Sequence, residues 1–427
     1  PTAHASEPVL DAETRERRIL LVDCDAFYVQ VARLLDPEGA GKARLLIVGG
    51  SATGRGVVTS ASYEARGFGV RSAMPTAQAL RLCPQATVVP VPRHACVEKS
   101  RAVRRVLTEL APVVQAASID EFYLDLTGTE RLFAGETLEA TARRFRGEIL
   151  RRTDVSVSIG GGTRRVIAKL ATSVAKPAGV HVVPAGGEQD FLRTLELGDL
   201  PGVGPSLVEA LRRRGLVRVE DALGVQLEWL QAWFGKRRGA WLYRRIRAED
   251  DSEVDPSDGR KSISSERTFF RDIETDEELE RKALQLSSSV ACTLRDKGLR
   301  ARTVTVKLRD ADFTTRQHSR TSPHGLESDR AVFELARELL RELRAERRVP
   351  ARLLGIGLSG LVDASEPEQL GLFEAGPPDP GVDSERDRRV SRAVDRLRDR
   401  FGADAVQPGR VLDRGKHDPA PGERRDT

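Results

Sequence analysis

Residues 19–22 are an unbroken apolar run, Ile-Leu-Leu-Val, followed by Asp23 and Asp25. Such a run reads as a strand covered on both faces, with its acids at an end that can meet solvent and ligand. A second stretch of the same kind, Ser118–Thr127 (SIDEFYLDLT), carries Asp120 and Glu121. Alternate strand residues share a face, so Asp23 and Asp25 can point the same way. Four carboxylates on two neighbouring strands repel one another unless something cationic lies between them. Hard oxygen donors suit Mg²⁺, which keeps water ligands and bridges to phosphate. Two such ions about 4 Å apart would clamp the attacking and leaving oxygens of a phosphoryl transfer. Taken one pair at a time, the acids could equally be strand-end caps or salt-bridge partners.

Strands and helices alternate around these acids, which predicts an α+β, multidomain chain. Strands are expected at 43–50 and 57–60, helices at 76–82, 95–110 and 136–152, a strand at 155–160, and a helix at 165–175 that stops at Pro177. After about Val183 the text becomes short Arg-rich helical segments around LPGVGPS and FGKRRG, the pattern of a small all-helical domain. Residues 249–260, EDDSEVDPSDGR, are acidic and aperiodic and read as an interdomain linker. Beyond it, strand 263–269, helix 276–297, strands 303–309 and 314–321, helix 328–346 and strand 353–361 give a β-α-β-β-α-β module. From Ala364 the chain is rich in Pro, Gly and Asp, with a helix-like piece at 383–401.

Tyr63 and Arg66 lie one helical turn apart and could grip a polyphosphate, although solvated surface arginines are commoner. Lys176, before Pro177, could contact phosphate or cap a helix C-terminus. Gly202 and Gly204 of LPGVG make a tight turn before a basic amphipathic helix, a hairpin that can aim backbone N–H groups at a nucleic-acid phosphate. The glycine run Ser158–Gly162 lacks the spacing and lysine of a nucleotide-binding P-loop. Cys24, Cys83, Cys96 and Cys292 are scattered without CxxC spacing, so a disulfide scaffold or zinc module is not expected, and a reducing cytoplasm is. No apolar run approaches the roughly 20 residues of a membrane span. Residues 1–17 lack the pattern of a signal peptide and read as a disordered leader.

The segments VDCDAFY, VVTSASYEARGFGVRSAMP, SIDEFYLDLT, AKLATSVAKPAGV, LPGVG and KSISSERTF follow in that order over roughly Arg18–Val362. As an ordered set they resemble the Y-family DNA polymerases, most closely the bacterial DNA polymerase IV group. The resemblance implies a right hand: a mixed α/β palm (18–27 and 93–183), small fingers (28–92) and an all-helical thumb with a helix-hairpin-helix (184–248). The linker (249–260), a little finger (261–363) and a tail (364–427) would follow. It implies template-dependent, low-fidelity translesion synthesis, with two Mg²⁺ ions assisting transfer from a dNTP to the primer 3′-OH. Asp23, Asp120 and Glu121 would be the catalytic, metal-binding carboxylates, with the backbone carbonyl of Cys24 completing one shell; Asp25 shares the motif. Phe27 and Tyr28 would lie under the incoming nucleotide, Tyr28 as the steric gate against a ribose 2′-OH. Ser60, Tyr63, Arg66 and Lys176 would bind the triphosphate, and Gly202 and Gly204 the DNA. Ser60 stands where the family usually has threonine, Phe122 where a small residue is common, and Arg165 where lysine is usual.

In the tail, Gln369, Leu370, Leu372 and Phe373 resemble the bacterial sliding-clamp-binding pentapeptide, with Leu372 and Phe373 as apolar anchors. The partners so implied are primer–template DNA, dNTP and the clamp, for a monomer that engages no membrane. Two rivals differ in class: an aspartyl-nucleophile phosphatase using Asp23 and Asp25, and a non-catalytic scaffold binding DNA or the clamp. The net charge of +5 is uneven: residues 19–183, 184–248 and 261–363 carry +7, +3 and +3, against −5 in 249–260. A basic surface of that kind predicts strongly salt-dependent DNA binding.

Overall fold

The computed structural model describes residues 16–133, 135–257, 259–366, 383–402, 405–407 and 409; Gln369, Leu370, Leu372 and Phe373 therefore lie outside the described residues. The chain divides into two compact units, residues 1–258 and 259–427. The first runs β1 (Ile19–Cys24), α1 (Phe27–Leu35), β2 (Leu46–Gly49), β3 (Val58–Ala61), α2 (Tyr63–Gly67), α3 (Thr76–Leu82), β4 (Thr87–Val89) and α4 (Arg93–Leu110). It continues through β5 (Val113–Ala116), β6 (Glu121–Asp125), α5 (Leu138–Thr153), β7 (Val157–Gly162), α6 (Arg165–Ala175), β8 (Val180–Val182) and α7 (Glu188–Arg193). Four further helices follow: α8 (Pro205–Arg212), α9 (Val219–Leu223), α10 (Leu227–Phe234) and α11 (Lys236–Arg245).

As its composition predicts, β1 is buried along its whole length, because it is the central strand of a five-stranded sheet ordered β5-β6-β1-β7-β8. Leu20 and Val22 point to one face, into a core with Phe122, Leu124 and residues of α4 and α5. Ile19 and Leu21 point to the other, against Tyr123 and Ala168 of α6. A separate three-stranded sheet, β3-β2-β4, packs its own small core with α2 and α3. The second acid-bearing strand starts at Glu121, later than its sequence suggests. Ser118–Asp120 instead form a turn in which the Ser118 hydroxyl donates to the Asp120 carboxylate at 2.5 Å and Ala117 N–H donates to Glu121 O at 2.9 Å. A serine two residues before an acid offers the backbone this local alternative to the ladder.

The acidic stretch after α11 is not a free linker over its first residues. Asp250 accepts the backbone N–H of Val166 at 2.9 Å, in the first turn of α6, and Val254 is buried beside Ile19 and Leu21. An anion there satisfies a helix donor that has no partner of its own and complements the helix dipole. Burial would raise the Asp250 carboxyl, but hydrogen bonds from Ser252 and Val166 and the charge of Arg245 hold it below its ordinary value.

The second unit contains β9 (Ser262–Ile273), α12 (Asp276–Asp296), β10 (Leu299–Asp310), β11 (Thr315–Leu326), α13 (Asp329–Glu346), β12 (Ala351–Asp363) and α14 (Glu385–Phe401). The expected β-α-β-β-α-β order is present, as an antiparallel sheet ordered β11-β10-β12-β9 with one core formed against α12 and α13. The helix-like tail piece is a real helix and belongs to this unit. Arg295 bridges Asp395 of α14 (2.6 Å) and Asp329 (2.8 Å), while the buried Asp383 accepts the Glu327 N–H at 2.7 Å.

Asp250→Ala should cost about 1–2 kcal/mol, as losing a helix-terminal cap does, read as a lower denaturation midpoint. Because the folded carboxyl is depressed, its contribution is present at neutral pH. The wild-type advantage should shrink only as the pH falls below 3.8, through the lower folded-state value.

Candidate active site

The antiparallel register of β1 and β6 sets Asp23 directly opposite Glu121. Both then share the α6 face of the sheet, and α6 brings two cations to them. Lys176, the residue that ends α6, reaches Asp23 with its ammonium at 2.7 Å. Lys169, two turns earlier, forms an ion pair with Glu121 and lies 3.8 Å from Asp23. Sequence reasoning singled out Lys176 and passed over Lys169; the signal was their seven-residue spacing, which stacks two side chains on one helical face.

The glycine run explains how α6 comes so close. A Cβ on Gly160 would stand 2.2 Å from the Ala168 carbonyl oxygen and 2.2 Å from the Thr172 nitrogen, and one on Gly162 2.5 Å from Ile167. Gly160 and Gly162 pair with Leu21 and Ile19, so both lie on the α6 face. The run therefore serves helix packing, and through it the placement of both lysines.

Burial raises the Asp23 carboxyl, Lys176 pulls it down and the Glu121 charge pushes it up, which leaves it at about 6. Burial lowers the Lys169 ammonium, but the Glu121 bond and the charges of Glu121 and Asp23 together outweigh it, so that it holds its proton more firmly than usual. Asp120 lies in the turn before β6, where its carbonyl accepts the Cys24 N–H at 2.9 Å. Burial, followed by the charges of Asp120, Asp23 and Asp25, drives the Cys24 thiol far up, which makes it an inert core group. Among the described residues no three His, Cys, Asp or Glu side chains already converge on one point. What the site presents is a facing carboxylate pair with two ammonium groups drawn to it, and hard carboxylate oxygens that gather cations in this way fit a divalent ion.

Asp25 stands apart from that pair. It lies one residue beyond β1, 4% exposed, and its oxygens accept from Ser158 (2.7 Å), Ser156 (2.9 Å), Ala178 N–H (3.0 Å) and Tyr63 (3.3 Å). Burial and the Asp25 charge push the Tyr63 phenol up to about 12, so it acts as a neutral donor. Arg66 stacks on the Tyr63 ring at 4.9 Å, one turn along α2 as the spacing predicts. Ser60 is buried on β3.

Phe27 and Tyr28 separate. Phe27 is 1% exposed and packs inside the core, so it offers no surface to a ligand; it buttresses Tyr28 edge-on at 5.7 Å. Tyr28 is half-open, and burial together with the Asp120 charge raises its phenol. Phe122, too, points into the core, on the face opposite Asp23, so its bulk fills that core and leaves the carboxylate pair alone. Arg165 lies over the Tyr123 ring at 4.3 Å and donates to Glu253 O at 2.6 Å.

In the helical segment, Gly202 has φ +96° and a Cβ there would meet the Trp241 ring at 2.7 Å, so only glycine fits; Gly204 precedes the first turn of α8.

Residues 22–173 match the impB/mucB/samB family, residues 260–372 that family's C-terminal domain, and residues 198–250 the thumb domain of DNA polymerase-iota. The chain is 39% identical over 404 residues to DNA polymerase IV of Desulfatibacillum aliphaticivorans, covering 94% of this chain and 99% of that protein. The chain belongs to the Y-family DNA polymerases. DNA polymerase IV of Caulobacter vibrioides is 38% identical over 414 residues, 96% of this chain and 98% of the relative. Among solved structures, a Y-family DNA polymerase chimera of Dbh and Dpo4 matches with a TM-score of 0.73 at 26% identity, over 81% of this chain and 99% of that one. An insertion ternary complex of Dbh DNA polymerase matches over the same shares with a TM-score of 0.59, also at 26% identity.

The Y-family fold gives the elements their names: the sheet carrying Asp23 and Glu121 belongs to the palm, the helices around LPGVG to the thumb, and the second unit to the little finger. The protein is a DNA-directed DNA polymerase of the translesion class that binds DNA and dNTP. Y-family nucleotidyl transfer is in general divalent-metal dependent. Neither a phosphatase nor a catalytically silent scaffold accounts for these matches. No described helix is long and apolar enough to cross a membrane.

Gly160→Ala should force α6 off β7. Overpacking of this kind costs about 1–3 kcal/mol, and the lysines move with the helix. A lower denaturation midpoint together with weakened primer extension is the expected outcome.

Proposed function

We propose that Asp23, Glu121 and Asp120, with the backbone carbonyl of Cys24, hold two Mg²⁺ ions during transfer of a dNTP to a primer 3′-OH. The observation that best supports this reading is Asp23 facing Glu121 in register, with Lys169 and Lys176 already drawn to the pair. When bound, such ions supply charge neutralisation at the reacting oxygens. The chain's own groups do the rest. Lys176, Tyr63 and Arg66, with Ser60 beside them, bind and orient the triphosphate by charge and by neutral O–H donation. Lys169 holds the Glu121 carboxylate in place. The Tyr28 ring occupies the space of a ribose 2′-OH and so selects deoxynucleotides. Gly202 and Gly204 bring backbone N–H groups to a DNA phosphate.

The palm comprises 18–27 and 93–183, the fingers 28–92, the thumb 184–248, the little finger 261–363 and the tail 364–427. The linker 249–260 is in part a strap, since Asp250 and Val254 pack on the palm elements. Gln369, Leu370, Leu372 and Phe373 dock the protein, as a monomer, on a bacterial sliding clamp. The four free cysteines suit a cytoplasmic setting.

Asp120→Ala should abolish primer extension while leaving primer–template affinity, measured by anisotropy, nearly unchanged; extension surviving the change overturns the metal assignment. Tyr28→Ala should lower discrimination against ribonucleotides by at least about tenfold, measured as the ratio of single-turnover efficiencies. A peptide spanning Glu366–Ala375 should bind the clamp, and the same peptide with Ala at Leu372 and Phe373 should not.

A further inference from the structure

Asp25 is the carboxylate of the first motif that the metal-binding reading leaves without a task. It is 4% exposed, and an ionised carboxylate is stable at that depth only with its oxygens fully partnered. Ser158 Oγ (2.7 Å) and Tyr63 OH (3.3 Å) donate to Oδ1, and Ser156 Oγ (2.9 Å) and Ala178 N–H (3.0 Å) donate to Oδ2. Its backbone is fixed as well. Asp25 N–H donates to Ser156 O at 3.0 Å, and the Gln30 side chain donates to both the Asp25 and Ser156 carbonyls while accepting the Ser156 N–H at 2.7 Å. Four donors on two oxygens leave little room for a cation, whereas the Asp23 carboxylate faces the ammonium groups of Lys169 at 3.8 Å and Lys176 at 2.7 Å.

The donors come from three separate places in the fold. Ser156 immediately precedes β7 and Ser158 is its second residue, Tyr63 opens α2, and Ala178 belongs to the turn that leaves α6, two residues after Lys176. Ala178 holds φ +55°, a left-handed backbone that a non-glycine residue keeps only where its surroundings impose it, and its N–H is the group Asp25 accepts. Tyr63 and Lys176 are two of the groups assigned above to the triphosphate. One buried anion thus ties both of their elements to the end of β1.

We propose that Asp25 is a positioning residue for nucleotide binding and not a metal ligand: it fixes the Tyr63 hydroxyl and the turn carrying Lys176 at the spacing a triphosphate requires. The proposal rests on the triphosphate reading above and deepens it. The Tyr63 hydroxyl has one proton, which here goes to Asp25. Giving it to a phosphate oxygen exchanges one anionic acceptor for another and leaves Asp25 with three donors, still enough for a buried carboxylate. Asp25→Asn keeps the volume but replaces four charge-assisted hydrogen bonds by weaker neutral ones; because the Ala178 N–H can only donate, the NH₂ must take the Oδ1 place, where the Ser158 and Tyr63 hydroxyls have to turn round and accept from it.

The test measures the equilibrium affinity of the correct dNTP for the full-length polymerase on a dideoxy-terminated primer–template with Mg²⁺, where no bond can form. Single-turnover extension and the Mg²⁺ concentration for half-maximal rate accompany it. Asp25→Asn should weaken dNTP affinity about tenfold while the rate at saturating dNTP falls less than about threefold and the Mg²⁺ midpoint stays within about twofold, a conventional split between binding and chemistry. Ser158→Ala, which removes one donor and keeps the carboxylate, should weaken dNTP affinity in the same direction by two- to threefold, roughly what one lost hydrogen bond gives; it carries the test if Asp25→Asn does not fold. Lys176→Ala is the reference. If Lys176→Ala weakens dNTP binding and both other variants bind normally, the positioning role of Asp25 is wrong and the triphosphate reading stands. If Lys176→Ala binds dNTP normally, the triphosphate reading fails and the proposal with it. A several-fold rise in the Mg²⁺ midpoint for Asp25→Asn would make Asp25 a metal ligand and overturn the proposal.

Discussion

Two carboxylates set opposite each other at the ends of neighbouring inner strands repel, and the groups around Asp23 and Glu121 make that placement tolerable. The register of β1 and β6 fixes the pair, so relief cannot come from moving the acids apart. It comes from charge delivered by a neighbouring element. Lys176 closes on Asp23 and Lys169 on Glu121, both from α6. Asp23 nevertheless remains raised to about 6, a sign that two tethered ammonium groups do not fully offset its burial and the charge opposite.

Delivering that charge requires a helix closer to a strand than side chains normally permit. Gly160 and Gly162 give α6 its contact distance, and Asp250 holds its first turn. The local peculiarities of β7 and of the acidic stretch are therefore consequences of one electrostatic requirement at the far end of the same helix. Asp25, two residues from Asp23, answers to different chemistry: hydroxyl and amide donors rather than ammonium groups.

Much of this was legible in the sequence. The apolar run ending on acids located β1 and its acidic end, the three-residue spacing placed Tyr63 and Arg66 on one turn, and alternating periodicities gave the order of the second unit. What stayed hidden depends on contacts between distant residues. Lys169 looks like one more charge on an amphipathic helix until its strand partner is known, and SIGGG reads as a failed phosphate loop until α6 is laid against it. The family resemblance puts Phe27 under a nucleotide together with Tyr28, but consecutive residues at the start of a helix face different ways, and Phe27 lies in the core. The short strands β4, β5 and β8 carry too few residues for a period to register.

The acidic stretch also changes how the charge of the protein should be counted. Read by segments, residues 249–260 merely subtract from the basic domains. In the fold, Asp250 lies 3.5 Å from Arg245, Glu249 3.7 Å from Arg244, and Asp251 pairs with Arg244 and lies 3.7 Å from Arg164. The stretch is an internal counterion, covalently supplied, for arginines that a tally by domain would assign to DNA. Arginines paired with these acids neutralise fewer DNA phosphates, so the number of counterions the DNA sets free should be smaller than the count of basic residues implies.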